Sequence, residues 1–164
     1  MRKKDGRLIG SGSSPLKGGI MSNNGNRSQL ARQIYREALE AGERAMKEAK
    51  PTPMIVSEAD GLSDRPKAGG KSWYVPSGVC GFAWVKIRGN SWFIRALKKL
   101  GLAEADRNNW ESRARFFKDG YSGGYSFSVR EGGQSMELKE AYARAFANVL
   151  ESYGVYAYAS SRMD

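Results

Sequence analysis

The hydrophobic period of this chain changes abruptly within residues 79–100. Val79 to Arg88 alternates as a half-buried strand does, with Ala83, Val85 and Ile87 on one side and Phe82, Trp84 and Lys86 on the other. After Gly89-Asn90-Ser91 the apolar positions become Phe93, Ile94, Leu97 and Leu100, a helical spacing stopped by Gly101. A strand feeding directly into an amphipathic helix commits the chain to a layered fold with helices packed on a sheet.

The downstream sequence extends that pattern. Arg113 to Lys118 reads as a short strand, followed by the turn-rich DGYSGG, and Gly124 to Arg130 alternates again. Ser135 opens the clearest helix, with Leu138, Tyr142, Ala145, Phe146, Val149, Leu150 and Tyr153 on one stripe and Gly154 at its end. Val155 to Ser160 forms a last strand. In order this is strand, helix, strand, strand, helix, strand. The expected class is therefore α+β, with a split βαβ (ferredoxin-like) sheet and two helices on one face. That domain spans 71–164, where all four Trp, all six Phe and seven of the eight Tyr fall.

The preceding residues divide into three. Residues 1–26, rich in Gly, Ser and Asn with Arg2, Lys3, Lys4, Arg7 and Lys17, are expected to be a disordered basic tail. Residues 27–49 predict an amphipathic helix with a thin stripe of Leu30, Ile34, Ala38, Ala41 and Ala45, capped near Asn26 and loosely attached to the domain. Residues 50–70 read as a linker around one edge strand, Met54-Ile55-Val56.

Charge narrows the function classes. The net charge is +10, and residues 80–100 contribute Lys86, Arg88, Arg95, Lys98 and Lys99 with no Asp or Glu among them. Such an excess favours a polyanionic partner, nucleic acid before an anionic membrane. No apolar run reaches the length of a membrane span or signal core, so a cytoplasmic protein is expected. Without His, and with Cys80 alone, the usual zinc sites and a His-activated thiol are excluded. Glu104, Asp106, Glu111, Asp119 and Glu131 are scattered, and no two are forced together, so the sequence offers no catalytic, metal or cofactor constellation.

If both helices cover one face, the other keeps Phe82, Trp84 and Lys86 from the first strand and Tyr156 and Tyr158 from the last. Aromatic rings beside cations suit single-stranded nucleic acid, because every base offers a face to stack on. The candidate nucleic-acid surface is thus Phe82, Trp84, Tyr156 and Tyr158 with Lys86, Arg88, Arg95, Lys98 and Lys99; DNA and RNA are not distinguished. The competing use of an open aromatic face is coverage, by the 27–49 helix or by a second copy in a homo-oligomer. Gly124-Tyr125-Ser126-Phe127 distantly resembles the central motif of RNA-recognition domains. Its alternation, however, turns Tyr125 and Phe127 inward, where that family turns its aromatics outward, so that family is not assigned.

The stretches VCGFAWV, KEAYARAFANVL and AYASSRMD resemble small proteins of tailed bacteriophages of actinobacteria and related hosts, over about residues 75–164. The resemblance implies a phage-encoded protein, cytosolic or virion-associated. It carries over no functional residue.

Overall fold

The computed structural model describes residues 23–105 and 114–164. They form an α+β fold of three helices, a mixed five-stranded sheet and a separate two-stranded sheet. In chain order the elements are α1 (Asn23–Glu48), β1 (Met54–Ser57), β2 (Ser72–Val75), β3 (Gly81–Ile87), α2 (Trp92–Lys99), β4 (Ala103–Glu104), β5 (Phe116–Lys118), β6 (Tyr125–Ser128), α3 (Met136–Ser152) and β7 (Ala157–Met163). The large sheet runs β4-β5-β6-β3-β7; β4 and β5 are parallel and every other neighbouring pair is antiparallel.

Alternation along β3 buries Ala83, Val85 and Ile87. Their register partners Phe127 and Tyr125 on β6 and Ala157 on β7 are buried on the same side. Against them pack Phe93, Ile94 and Leu97 of α2 and Tyr142, Phe146 and Leu150 of α3. Ser91 caps α2 by accepting the Phe93 amide, and Ser135 caps α3 by accepting the Leu138 amide. Gly154, at φ 73°, supplies the left-handed residue that ends α3. The core is aromatic at its centre: Phe127 stacks on Phe146 at 4.6 Å between ring centroids and meets Phe116 at 5.2 Å.

α1 departs from the expectation in start, facing and attachment. It begins at Asn23, inside the segment expected to be disordered; the rest of that tail, residues 1–22, lies outside the described residues. Its buried stripe is Ala31, Ile34, Tyr35 and Ala38, while Leu30 is exposed. Tyr35 sets that rotation, since its ring reaches Phe116, Phe127 and Phe146 at 6.0–6.5 Å. The small residues beside it allow close approach to α3. At Gly42 an added Cβ would stand 2.6 Å from the Tyr142 ring. α1 is therefore an integral part of the core, and it lies on the side of the sheet already occupied by α2 and α3.

Residues 50–70 depart from a plain linker. β1 pairs with β2 along Met54↔Val75 to Ser57↔Ser72, a ribbon that crosses the expected boundary at residue 71. Its intervening loop is held by Glu58 N to Lys71 O, Lys67 N to Glu58 O and Asp60 N to Arg65 O. The Glu137 carboxylate ties the foot of the ribbon to α3 by accepting the Thr52 amide at 2.6 Å. The last strand also runs further than alternation suggested, to Met163 instead of Ser160.

Candidate functional site

With all three helices on one side, the opposite face of the large sheet is left open. Phe82, Trp84 and Lys86 of β3 lie across from Arg162, Ser160 and Tyr158 of β7, and Trp84 and Lys86 lie across from Ser128 and Ser126 of β6. Phe82, Tyr156 and Tyr158 are 43%, 56% and 47% exposed, which for rings in a small protein leaves a usable flat surface. Two adjoining grooves cross this face. One, of about 460 Å3, is lined by Phe82, Trp84, Lys86, Asp119, Tyr121 and Arg162 among others. The second, about 450 Å3, lies between the β3–α2 turn and the 122–124 turn and is bordered by Lys86, Arg88, Tyr156 and Tyr158.

The cations of this face are matched to its rings. The Arg88 guanidinium stands 4.7 Å from the centre of the Tyr156 ring, and Arg162 stands 5.4 Å from that of Phe82. Sequence reading missed Arg162 by ending the strand at Ser160. The signal was present, since Tyr156, Tyr158, Ser160 and Arg162 continue one period-two row.

Lys86 differs from the expectation of an unopposed cation. Its Nζ lies 2.7 Å from Asp119 Oδ2 and donates to Ser122 Oγ. Asp119 also accepts the Tyr121 and Ser122 amides at 2.9 and 3.1 Å and the Ser122 hydroxyl at 2.7 Å. Lys86 first, then these donors, hold the Asp119 carboxyl well below the usual carboxylate range. So strongly ionised a carboxylate does not take up a proton near neutrality, and the Ser122 proton is already committed to it. The Lys86–Ser122–Asp119 cluster therefore fastens the 119–124 turn to the sheet and offers no general base. Asp within a turn was legible from sequence; its pairing with a lysine on β3 was not.

The remaining predicted residues are not brought to this face. α2 folds back over the covered side, so Arg95 and Lys99 line a separate groove with Arg27, Ser28 and Trp92. Lys98 Nζ lies 4.8 Å from the centre of the Tyr125 ring, whose side chain points to the helix side. The nine predicted residues thus divide into a sheet-face set (Phe82, Trp84, Lys86, Arg88, Tyr156, Tyr158) and an α2 set (Arg95, Lys98, Lys99).

A further ionic cluster sits at the rim of the core. Arg115 holds Glu131 through its two terminal guanidinium nitrogens at 3.1–3.2 Å and stands 4.6 Å from the Phe127 ring centre. Burial pushes Glu131 up, but the Arg115 hydrogen bonds and charge outweigh it and leave the carboxyl below its usual value. Burial raises the hydroxyls of Tyr35 and Tyr142 beside it. Neither tyrosine is available as an acid near neutral pH. No group of three or more Asp, Glu or Cys among the described residues is placed to hold a metal ion, and no described helix is long and apolar enough to cross a membrane.

Comparison with family models, curated proteins and solved structures gave no match.

Proposed function

We propose that this chain is a small basic, non-enzymatic nucleic-acid-binding protein of the tailed-phage type, acting in the host cytosol or in the virion. The observation that carries the reading is the uncovered sheet face, where Phe82, Trp84, Tyr156 and Tyr158 lie among Lys86, Arg88 and Arg162. Bases stack on the rings and phosphates meet the cations, an arrangement that tolerates any sequence. The order β5-β6-β3-β7, with α2 and α3 as the two crossovers, supports a split βαβ sheet to which β4 is added at one edge. Single strands are favoured over duplex, because a flat sheet carrying rings offers no element to fill a major groove.

The test is fluorescence anisotropy of labelled single-stranded DNA, duplex DNA and RNA over a salt series. Trp84→Ala is expected to raise Kd for a single strand about tenfold, as loss of one stacked base requires. Arg88→Glu is expected to weaken binding and flatten the salt dependence. Unchanged affinity in both variants removes the reading.

One observation favours a second reading, a protein-interaction or virion-assembly module. The β1–β2 ribbon exposes Ile55 and Tyr74 on one side and Val56 and Trp73 on the other, and isolated two-stranded ribbons are only marginally stable in water. Under that reading the same aromatic sheet face self-associates, and Trp84→Ala dissociates an oligomer in sedimentation instead of releasing nucleic acid.

A further inference from the structure

A second cluster of cations lies in the helical layer, with the sheet between it and the open face. α1 and α2 meet along a groove of about 240 Å3 lined by Arg27, Ser28, Trp92, Arg95, Ala96 and Lys99. Among the described residues no carboxylate lines it. Elsewhere Lys86, Arg115 and Arg144 each hold an acid, whereas Arg27, Arg95 and Lys99 form no ion pair among the described residues. The Arg95 guanidinium donates to the Asn90 carbonyl at 3.0 Å, which orients it without neutralising it.

Local electrostatics opposes this gathering. Arg95 and Lys99 are an i,i+4 pair of like charge on α2, an arrangement that destabilises a helix. Arg27 stands near the start of α1, where the helix dipole disfavours a cation. Only Lys99, at the C-terminal turn of its helix, is locally favoured. Two helices far apart in sequence thus bring three like charges to one groove at a cost to each, the kind of conflict that marks a functional surface. Trp92 gives the groove a firm aromatic wall, since it is half-buried and braced edge-on against Phe93 at 6.0 Å. Two guanidiniums and an ammonium beside such a wall fit phosphate oxygens next to a sugar or base.

We propose that this groove is a second nucleic-acid site, holding the phosphates of a separate segment, so that one molecule bridges two strands. The proposal rests on the reading of the sheet face as the first such site. Placed on opposite sides of the sheet, the two surfaces do not both fit one short strand.

The experiment uses the full chain and two short single-stranded oligonucleotides carrying a donor and an acceptor dye. Native mass spectrometry counts strands per protein monomer, and energy transfer reports bridging. Wild type is expected to carry two strands per monomer and to show transfer. Arg27→Glu/Lys99→Glu is expected to keep one strand and lose about tenfold in transfer, while circular dichroism stays unchanged. Should the double reversal fail to fold, Lys99→Gln is read instead, with a loss of about threefold. Trp84→Ala is expected to weaken the first strand and spare the second. A wild type that carries one strand, lost through Trp84→Ala, overturns the bridge and leaves the sheet-face reading intact. Transfer that survives the groove variants overturns it equally. A wild type that carries none overturns both readings. If polyglutamate occupies the groove in preference to the oligonucleotide, its partner is an acidic protein and the proposal is wrong.

Discussion

The two faces of the large sheet are built from the same kind of residue and end in opposite states. On the covered face Phe116 and Phe127 meet Phe93, Tyr142, Phe146 and Tyr35, ring against ring, and almost none of that surface reaches water. On the open face Phe82 and Tyr156 each have a guanidinium for a neighbour and stay substantially exposed. Aromatic content therefore does not separate core from surface in this chain. What separates them is where three amphipathic helices place their apolar stripes, and all three choose the same side. The rings of the open face are left without a helix to cover them, with cations and the 119–124 turn as their neighbours.

That contrast predicts a ranking of substitutions. Phe127→Ala, at the centre of the covered cluster, should cost about 3–5 kcal/mol in denaturant unfolding. Trp84→Ala should cost less, because its ring keeps part of its surface in water. Equal losses would erase the distinction between the faces. Gly42→Ala comes next. The new methyl collides with the buried Tyr142 ring, and an overpacked contact of this kind costs about 1–3 kcal/mol. A neutral result would mean that α1 sits less tightly on α3 than the geometry states.

The smallest effect on stability is expected at Asp119. Its carboxyl has a folded-state value below the unfolded one, so its contribution is fully present above about pH 4 and is lost as the pH falls toward the folded value. Asp119→Asn should flatten the acid limb of the stability profile, by about 1 kcal/mol for a partly covered pair at the rim of the sheet, and leave neutral pH dependence unchanged. The same variant frees Lys86. If Lys86 then reaches a phosphate, the salt dependence of single-strand binding steepens by about 0.7 in log–log slope. An unchanged slope would remove Lys86 from the contact surface.

Much of the fold could be read from local period. The alternation of residues 79–88 and 124–130 gave the facing of Phe82, Trp84 and Phe127 correctly, and Ser135 and Gly154 bound α3 as their chemistry suggests. α1 was misread because its Ala-rich surface offers several equivalent stripes, and the choice among them belongs to Tyr35, whose partners are distant in sequence. Of the ribbon only β1 was legible, as the edge strand Met54-Ile55-Val56; its partner β2 was missed because it lies across a 14-residue loop with no alternation to announce it. The candidate site was half legible. Proximity in sequence united Lys86 with Lys99, whereas a helix that must return over its own strand carries its charges to the other side. The partnership of Lys86 and Asp119 joins two separate elements and leaves no trace in either one.

Lys139 gives the molecule a reporter of its own motion. It is a buried residue in the first turn of α3, and its Nζ donates to the Gly81 carbonyl at 2.8 Å, at the beginning of β3. An amine-acylating reagent can reach that nitrogen only while α3 stands away from the sheet. The rate at which Lys139 acquires the label, set against the exposed Lys98 and Lys99 in one mass-spectrometric time course, clocks how often the seam between helix and strand breathes, with no dye or mutation required.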